Sequence, residues 1–243
     1  MAGTTMKKVA CITGASRGLG LALARELARR DWALIIDSRG NEALAQVAAE
    51  LSRRTEVVAL AGDVTDPLHR QSLLEAVRTA GGLDALVNNA SILGVSPQPR
   101  LLEFPMDAFE QLYRVNVFAP LALVQMLHAE FRKGGCVINI TSDAGVEAYP
   151  GWGGYGSSKA AFEQLSAVLA AENASLRVYW VDPGDMRTQM QQEAYPGEDI
   201  SDRPLPEESV PGLITLIEGS MKSGRYRARE LAEQKAEAKV QES

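Results

Sequence analysis

The apolar residues of this chain fall into short, nearly unbroken runs at 9–13, 32–36, 56–60, 83–87, 136–140 and 176–181, and stretches with helical periodicity separate them. A strand apolar at successive positions is buried on both faces, and strands joined through helices pair in parallel. The first helical stretch, 18–30, repeats Leu19, Leu23 and Leu27 at i+4 and sets Arg25, Glu26, Arg29 and Arg30 on its polar side. The second, 41–53, does the same with Leu44, Val47, Ala48 and Leu51. Asp66-Pro67 opens a third, with an N-cap carboxylate followed by proline at the first helical position. A long stretch, 106–132, reads as one helix bent near Pro120, Gly134-Gly135 turns the chain into the next strand, and 156–172 is helical. The expected class is α/β: a doubly wound parallel sheet with helices on both faces.

At 243 residues one domain and one core are expected. Residues 1–6 read as a short polar leader, 7–228 as the domain, and 229–243, rich in Ala, Glu, Lys and Gln, as a charged C-terminal tail, a solvated helix or a frayed end. The net charge of -6 and the lack of a Lys/Arg cluster argue against nucleic acid as a partner. No apolar run approaches the roughly 20 residues that span a bilayer, and no signal-peptide pattern opens the chain, so the cytoplasm is the expected compartment. Cys11 and Cys136 read as buried thiols. His69 and His128 lie far apart and read as core or solvated histidines, so no metal site is expected.

Between the first run and the first helix stands TGASRGLG at 13–20. Gly14, Gly18 and Gly20, with Ser16, Arg17 and Leu19 between them, let the backbone turn tightly and let a pyrophosphate approach amides at a helix N-terminus. The placement at the first strand–helix junction matches a dinucleotide site. The second strand ends in Asp37-Ser-Arg39. A carboxylate there binds the 2′-hydroxyl of NAD and an arginine the 2′-phosphate of NADP, and this chain offers both. Arg17 can add a second cation, so the balance favours NADP(H), with NAD(H) as the alternative. Asp63-Val64 and Asn88-Asn89-Ala90 close the third and fourth strands and line the same crevice; Asp63 reads either as a partner for the adenine amino group or as a turn aspartate.

Tyr155 and Lys159 share a helical face, Ser142 follows the fifth strand, and Asn116 sits in an otherwise apolar helical run that demands a buried partner. Reduction of a carbonyl by hydride leaves an alkoxide that needs a proton. A phenol of pKa about 10 holds that proton, and a nearby ammonium together with the charged nicotinamide would bring it towards the working pH. A serine hydroxyl can polarise the substrate oxygen, and an asparagine can hold a relay water.

These residues, together with Asp182-Pro183-Gly184, stand in the order and spacing of the short-chain dehydrogenase/reductase family, and the resemblance covers residues 7–190. It implies a Rossmann-like sheet of about seven strands and a catalytic tetrad of Asn116, Ser142, Tyr155 and Lys159. It implies that Tyr155, Lys159, Pro183, Gly184, Met186 and Thr188 border the nicotinamide half of the cofactor. Arg39 matches the NADP-preferring position, and Asp37 falls one residue before the NAD-preferring one. Three departures stand out: Ser91 where glycine is usual, Asp143 directly after Ser142, and no Asp-Gly-Gly after 223–228. The last argues for a homodimer through the helices at 106–132 and 156–172 rather than a tetramer. Residues 185–208 read as a substrate lid, and Leu93, Val95, Trp152, Met186, Met190 and Tyr195 as an apolar, partly aromatic pocket for a small carbonyl or alcohol substrate. The alternatives are an NAD-dependent alcohol dehydrogenase using Asp37, or a non-catalytic NADP-binding sensor.

Overall fold

The computed structural model describes residues 6–241, with backbone alone over 235–241; residues 1–5 of the leader read at 1–6 and the last two residues of the tail lie outside it. Seven strands form one sheet: β1 (Val9–Ile12), β2 (Ala33–Ser38), β3 (Val57–Ala61), β4 (Leu83–Asn88), β5 (Phe131–Ile140), β6 (Arg177–Asp182) and β7 (Gly224–Arg227). Their order is β3-β2-β1-β4-β5-β6-β7, and every neighbouring pair is parallel. This is the doubly wound, Rossmann-like sheet that the resemblance implies, and its order reverses between β1 and β4, where such sheets open a crevice.

The apolar runs become strands because each side of the sheet has its own helical cover. On one face Ile12, Leu34, Ile36 and Ile138 pack with Leu23 and Leu27 of α1 (Gly18–Arg29), Leu44 of α2 (Asn41–Leu51) and Leu213 and Ile217 of α8 (Val210–Glu218). On the other, Cys11, Ile35, Leu86 and Val137 pack with Leu73 and Val77 of α3 (Pro67–Thr79) and Leu123 and Leu127 of α5 (Ala119–Leu127). Asp66 caps α3 by accepting the Leu68 amide at 2.9 Å, with Pro67 behind it. Both cysteines are buried and unpaired.

The long helix expected over 106–132 is three pieces. α4 (Met106–Tyr113) passes into a π turn (Arg114–Phe118) and then into α5. The irregularity falls on Asn116 rather than at Pro120, which sits at the opening of α5. β5 also starts earlier than expected, at Phe131, and Gly134-Gly135 lies in an irregularity within that strand: Leu83 pairs with Phe131, but Ala85 already pairs with Cys136. The 20-residue α6 (Gly153–Glu172) starts three residues before the expected boundary. The short α7 (Gln189–Ala194) lies within 185–208. The charged tail is helical as α9 (Ala228–Gln241), and its first turns pack inward through buried Ala228 and Leu231. No helix among the described residues is long and apolar enough to cross a membrane.

Candidate active site

A cleft of about 920 Å³ opens along the carboxyl ends of the strands. Gly14, Ser16, Arg17, Gly18, Leu19, Arg39, Asp63, Val64, Asn89 and Ala90 line one end, and Ser142, Tyr155, Lys159, Pro183, Gly184, Met186 and Thr188 the other. Gly14 has φ +67°, and a Cβ there would come within 3.0 Å of the Ala90 backbone. A Cβ on Gly20 would lie 2.6 Å from Asn89 Nδ2. No side chain caps α1, so its first amides face the cleft without an internal acceptor, as a bound pyrophosphate requires. The loop therefore fits a dinucleotide.

Asn89 knits this loop to β4: its Nδ2 donates to the carbonyls of Thr13 at 2.8 Å and Gly14 at 3.1 Å. Asp37 is 1% exposed and turned inward. Its Oδ1 accepts the Gly14 amide at 2.8 Å and its Oδ2 lies 3.0 Å from His69 Nε2. Burial pushes this carboxyl above the usual range, against those two hydrogen bonds. Both oxygens are engaged within the protein, so the acid that was read as a ribose partner braces the glycine loop instead. Arg39 is exposed at the cleft edge. Asp63 closes a turn, its Oδ1 accepting from Thr65 N at 2.8 Å and Thr65 Oγ1 at 2.7 Å. Partial burial works to raise its pKa, but the Thr65 hydrogen bonds and the charges of Arg39 and His69 hold it below the ordinary value. Arg17 reaches across to Gln189 Oε1 at the start of α7.

At the other end, Tyr155 is buried, with the Trp152 ring 5.8 Å away and Lys159 Nζ 5.4 Å from its own ring centroid. Burial pushes the phenol well above its ordinary value, while the neighbouring hydroxyls of Ser91 and Ser142 pull the other way. Burial drives the Lys159 ammonium down to about 8, opposed by the charge of Glu163. Its Nζ donates to Ile140 O at 2.9 Å. Desolvation is the largest influence on both groups. Ser142 Oγ donates to Asp143 Oδ1 at 2.9 Å.

Asn116 is saturated. Its Nδ2 donates to Ile92 O at 2.9 Å and Ser158 Oγ at 3.1 Å, and its Oδ1 accepts from Ile92 N at 3.0 Å and Ser91 Oγ at 3.1 Å. The side chain keeps no free group for a relay water; it fixes the strand-exit segment that carries Ser91. Of the pocket residues, Leu93, Trp152, Met186, Met190 and Tyr195 line the cleft, while Val95 packs in the cluster around Leu93, Phe104 and Tyr155. Sequence reading missed three participants: His69 behind the glycine loop, Ser91 as a hydroxyl beside Tyr155, and Tyr149, whose hydroxyl lies 3.1 Å from Asp143. Ser91 was visible as a departure at a strand end, whereas the partners of His69 and Tyr149 depend on chain folding far from local pattern.

The short chain dehydrogenase family model matches residues 8–199. An uncharacterized oxidoreductase of Saccharomyces cerevisiae is 33% identical over 190 residues, covering 76% of this chain and 73% of that protein. A benzil reductase ((S)-benzoin forming) of the same yeast is 32% identical over 198 residues, covering 77% and 75%. The crystal structure of a short chain dehydrogenase from Escherichia coli CFT073 complexed with NADPH superposes with TM-score 0.81 at 29% identity, covering 91% of this chain and 96% of that one. The chain belongs to the short chain dehydrogenase family. Within it, the protein is an oxidoreductase that works between alcohol and carbonyl groups with a nicotinamide dinucleotide.

Proposed function

We propose that the protein interconverts hydrophobic, aromatic carbonyl compounds and their alcohols with NADP(H), using Tyr155 as the proton donor and acceptor. The observation that carries the cofactor choice is the inward turn of Asp37, which leaves the exposed Arg39 guanidinium at the end of β2 without a ribose-binding carboxylate from that strand. An exposed guanidinium beside a 2′-phosphate is a charge-assisted pair that NADH cannot make. Arg17 supplies a second cation when it releases Gln189. The glycine loop, Asp63, Val64, Asn89 and Ala90 cradle the adenosine and pyrophosphate, and Lys159, Pro183, Gly184, Met186 and Thr188 flank the nicotinamide half.

The nicotinamide, when bound, supplies or accepts the hydride. Tyr155 delivers its proton to the developing alkoxide, and Ser142 donates a hydrogen bond to the same oxygen once it turns away from Asp143. The Lys159 ammonium offsets the phenolate charge. Asn116 acts through Ser91 and Ile92 as a positioning residue. Leu93, Trp152, Met190 and Tyr195 give the substrate end an aromatic, apolar wall, with residues 185–208 as its lid, and a relative named for benzil reduction supports an aromatic substrate. Exposed Phe118 in the π turn and Val168 on α6 support a homodimer through these helices.

Titration with NADPH and NADH, followed by nicotinamide fluorescence, tests the cofactor, and tighter NADH binding would overturn the Arg39 reading. A substrate panel tests the pocket: benzil should outrun polyols and phosphosugars. Tyr155→Phe should remove turnover while cofactor binding stays near normal; a variant that still reduces benzil substantially would discard the assigned proton donor.

A further inference from the structure

Three consecutive residues where β5 enters the cleft are each held by a different side chain. Lys159 Nζ donates to Ile140 O at 2.9 Å. Thr141 Oγ1 donates to Glu163 Oε1 at 2.7 Å. A guanidinium nitrogen of Arg225 donates to Ser142 O at 3.3 Å. Lys159 and Glu163 are one turn apart on α6, so they share a face, while Arg225 comes from β7, at the edge of the sheet. Arg225 Nε reaches both Glu163 oxygens, at 3.0 and 3.1 Å, and its outer nitrogen lies 3.6 Å from Asp182, the residue before Pro183-Gly184.

We infer that Glu163 and Arg225 are positioning residues for the reaction centre: the pair locks the end of β5 against α6 and sets the charge environment of Lys159. The inference rests on the proposed role of Lys159 and adds the two residues that govern it. Glu163 is 9% exposed, and a carboxylate buried to that degree is stable only when paired and hydrogen-bonded. A hydrophobic pair would fill the same space at least as well. What it would not supply is a negative charge one turn beyond Lys159, or a fork that reaches the Ser142 carbonyl and Asp182 together. The titratable and charged groups facing this corner are Tyr155 and Glu163 on α6, Asp143 after β5, Asp182 at the end of β6 and Arg225 on β7.

The test needs neither substrate nor cofactor. Protein carrying 13Cε-lysine is titrated by NMR, and the Lys159 signal is assigned by its loss in Lys159→Met. In the wild type that signal should titrate near 8. Glu163→Gln removes the stabilising charge, and the midpoint should fall by about one unit. Arg225→Gln leaves the Glu163 charge uncompensated, and the midpoint should rise. Opposite shifts from the two variants are not produced by general loosening of the fold. A Lys159 midpoint unchanged in Glu163→Gln, or moved the same way by both substitutions, overturns the inference. If Glu163→Gln does not fold, Arg225→Gln decides alone: a rise supports the inference, and no change or a fall overturns it. Failure here leaves the Tyr155 reading standing, whereas a Tyr155→Phe enzyme that still turns over discards that reading without touching this titration.

Discussion

The carboxylate of Asp37 holds the backbone amide of Gly14 at 2.8 Å, and His69 holds the other oxygen of the same carboxylate at 3.0 Å. A histidine on α3 thus reaches the cofactor loop through one buried acid. His69→Ala strands that acid without its partner. It should lower unfolding stability by about 3 kcal/mol, read by denaturant titration, and should weaken NADPH and NADH alike because the loop loses its brace. Selective strengthening of NADH would mean instead that Asp37 is free to meet a ribose.

Arg39→Ala removes one charge-assisted hydrogen-bonding group from the adenosine end. The KM for NADPH should rise roughly tenfold to a hundredfold, with little change for NADH. Equal effects on both cofactors would show that Arg39 does not read the 2′-phosphate.

Ser91 replaces the glycine usual in this family with a hydroxyl that donates to Asn116 Oδ1 and lies beside the Tyr155 phenol. When the phenol is deprotonated, Ser91 can turn its single proton from Asn116 Oδ1 to the phenolate, and Ser91→Gly deletes that donor. Alcohol oxidation, which requires the deprotonated phenol, should then move to higher pH and slow by about tenfold at neutral pH. Carbonyl reduction, which starts from the protonated form, should change less. Rate profiles in both directions that superpose on the wild type would remove Ser91 from the site.

Burial holds Lys159 near 8, far below a solvated lysine. Below that pH the ammonium is charged and offsets the phenolate; above it the charge is lost. Carbonyl reduction should therefore carry a descending limb centred near 8, measured as kcat against pH with NADPH saturating. A flat profile up to pH 10 would separate Lys159 from the rate.

Much of this molecule is written locally. Buried parallel strands leave apolar runs such as 83–87, and the glycine loop and the Tyr155/Lys159 spacing depend on neighbours within one turn. What escaped the local reading depends on direction or distance. Asp37 and Arg39 are two residues apart, and the sequence does not say which of them faces the cleft; the deciding partner, His69, lies on α3, 32 residues further on. The π turn around Asn116 has no composition of its own, and Pro120 drew the expected bend away from it. Arg225 drew no reading from the sequence because Glu163, its partner, stands 62 residues earlier.

All seven strands run the same way, so the glycine loop, Asn89, Ser142 and Pro183-Gly184 gather at strand exits, while Tyr155 and Lys159 come from α6 and Arg225 from β7, and the set is scattered from Gly14 to Arg225. No contiguous fragment contains the set, and each junction meets the others only after non-local pairing is complete. Turnover is then a late event in refolding. Helical signal should return first, the buried Trp32 environment next, and catalytic activity only when β7 has docked on β6 and brought Arg225 to Glu163.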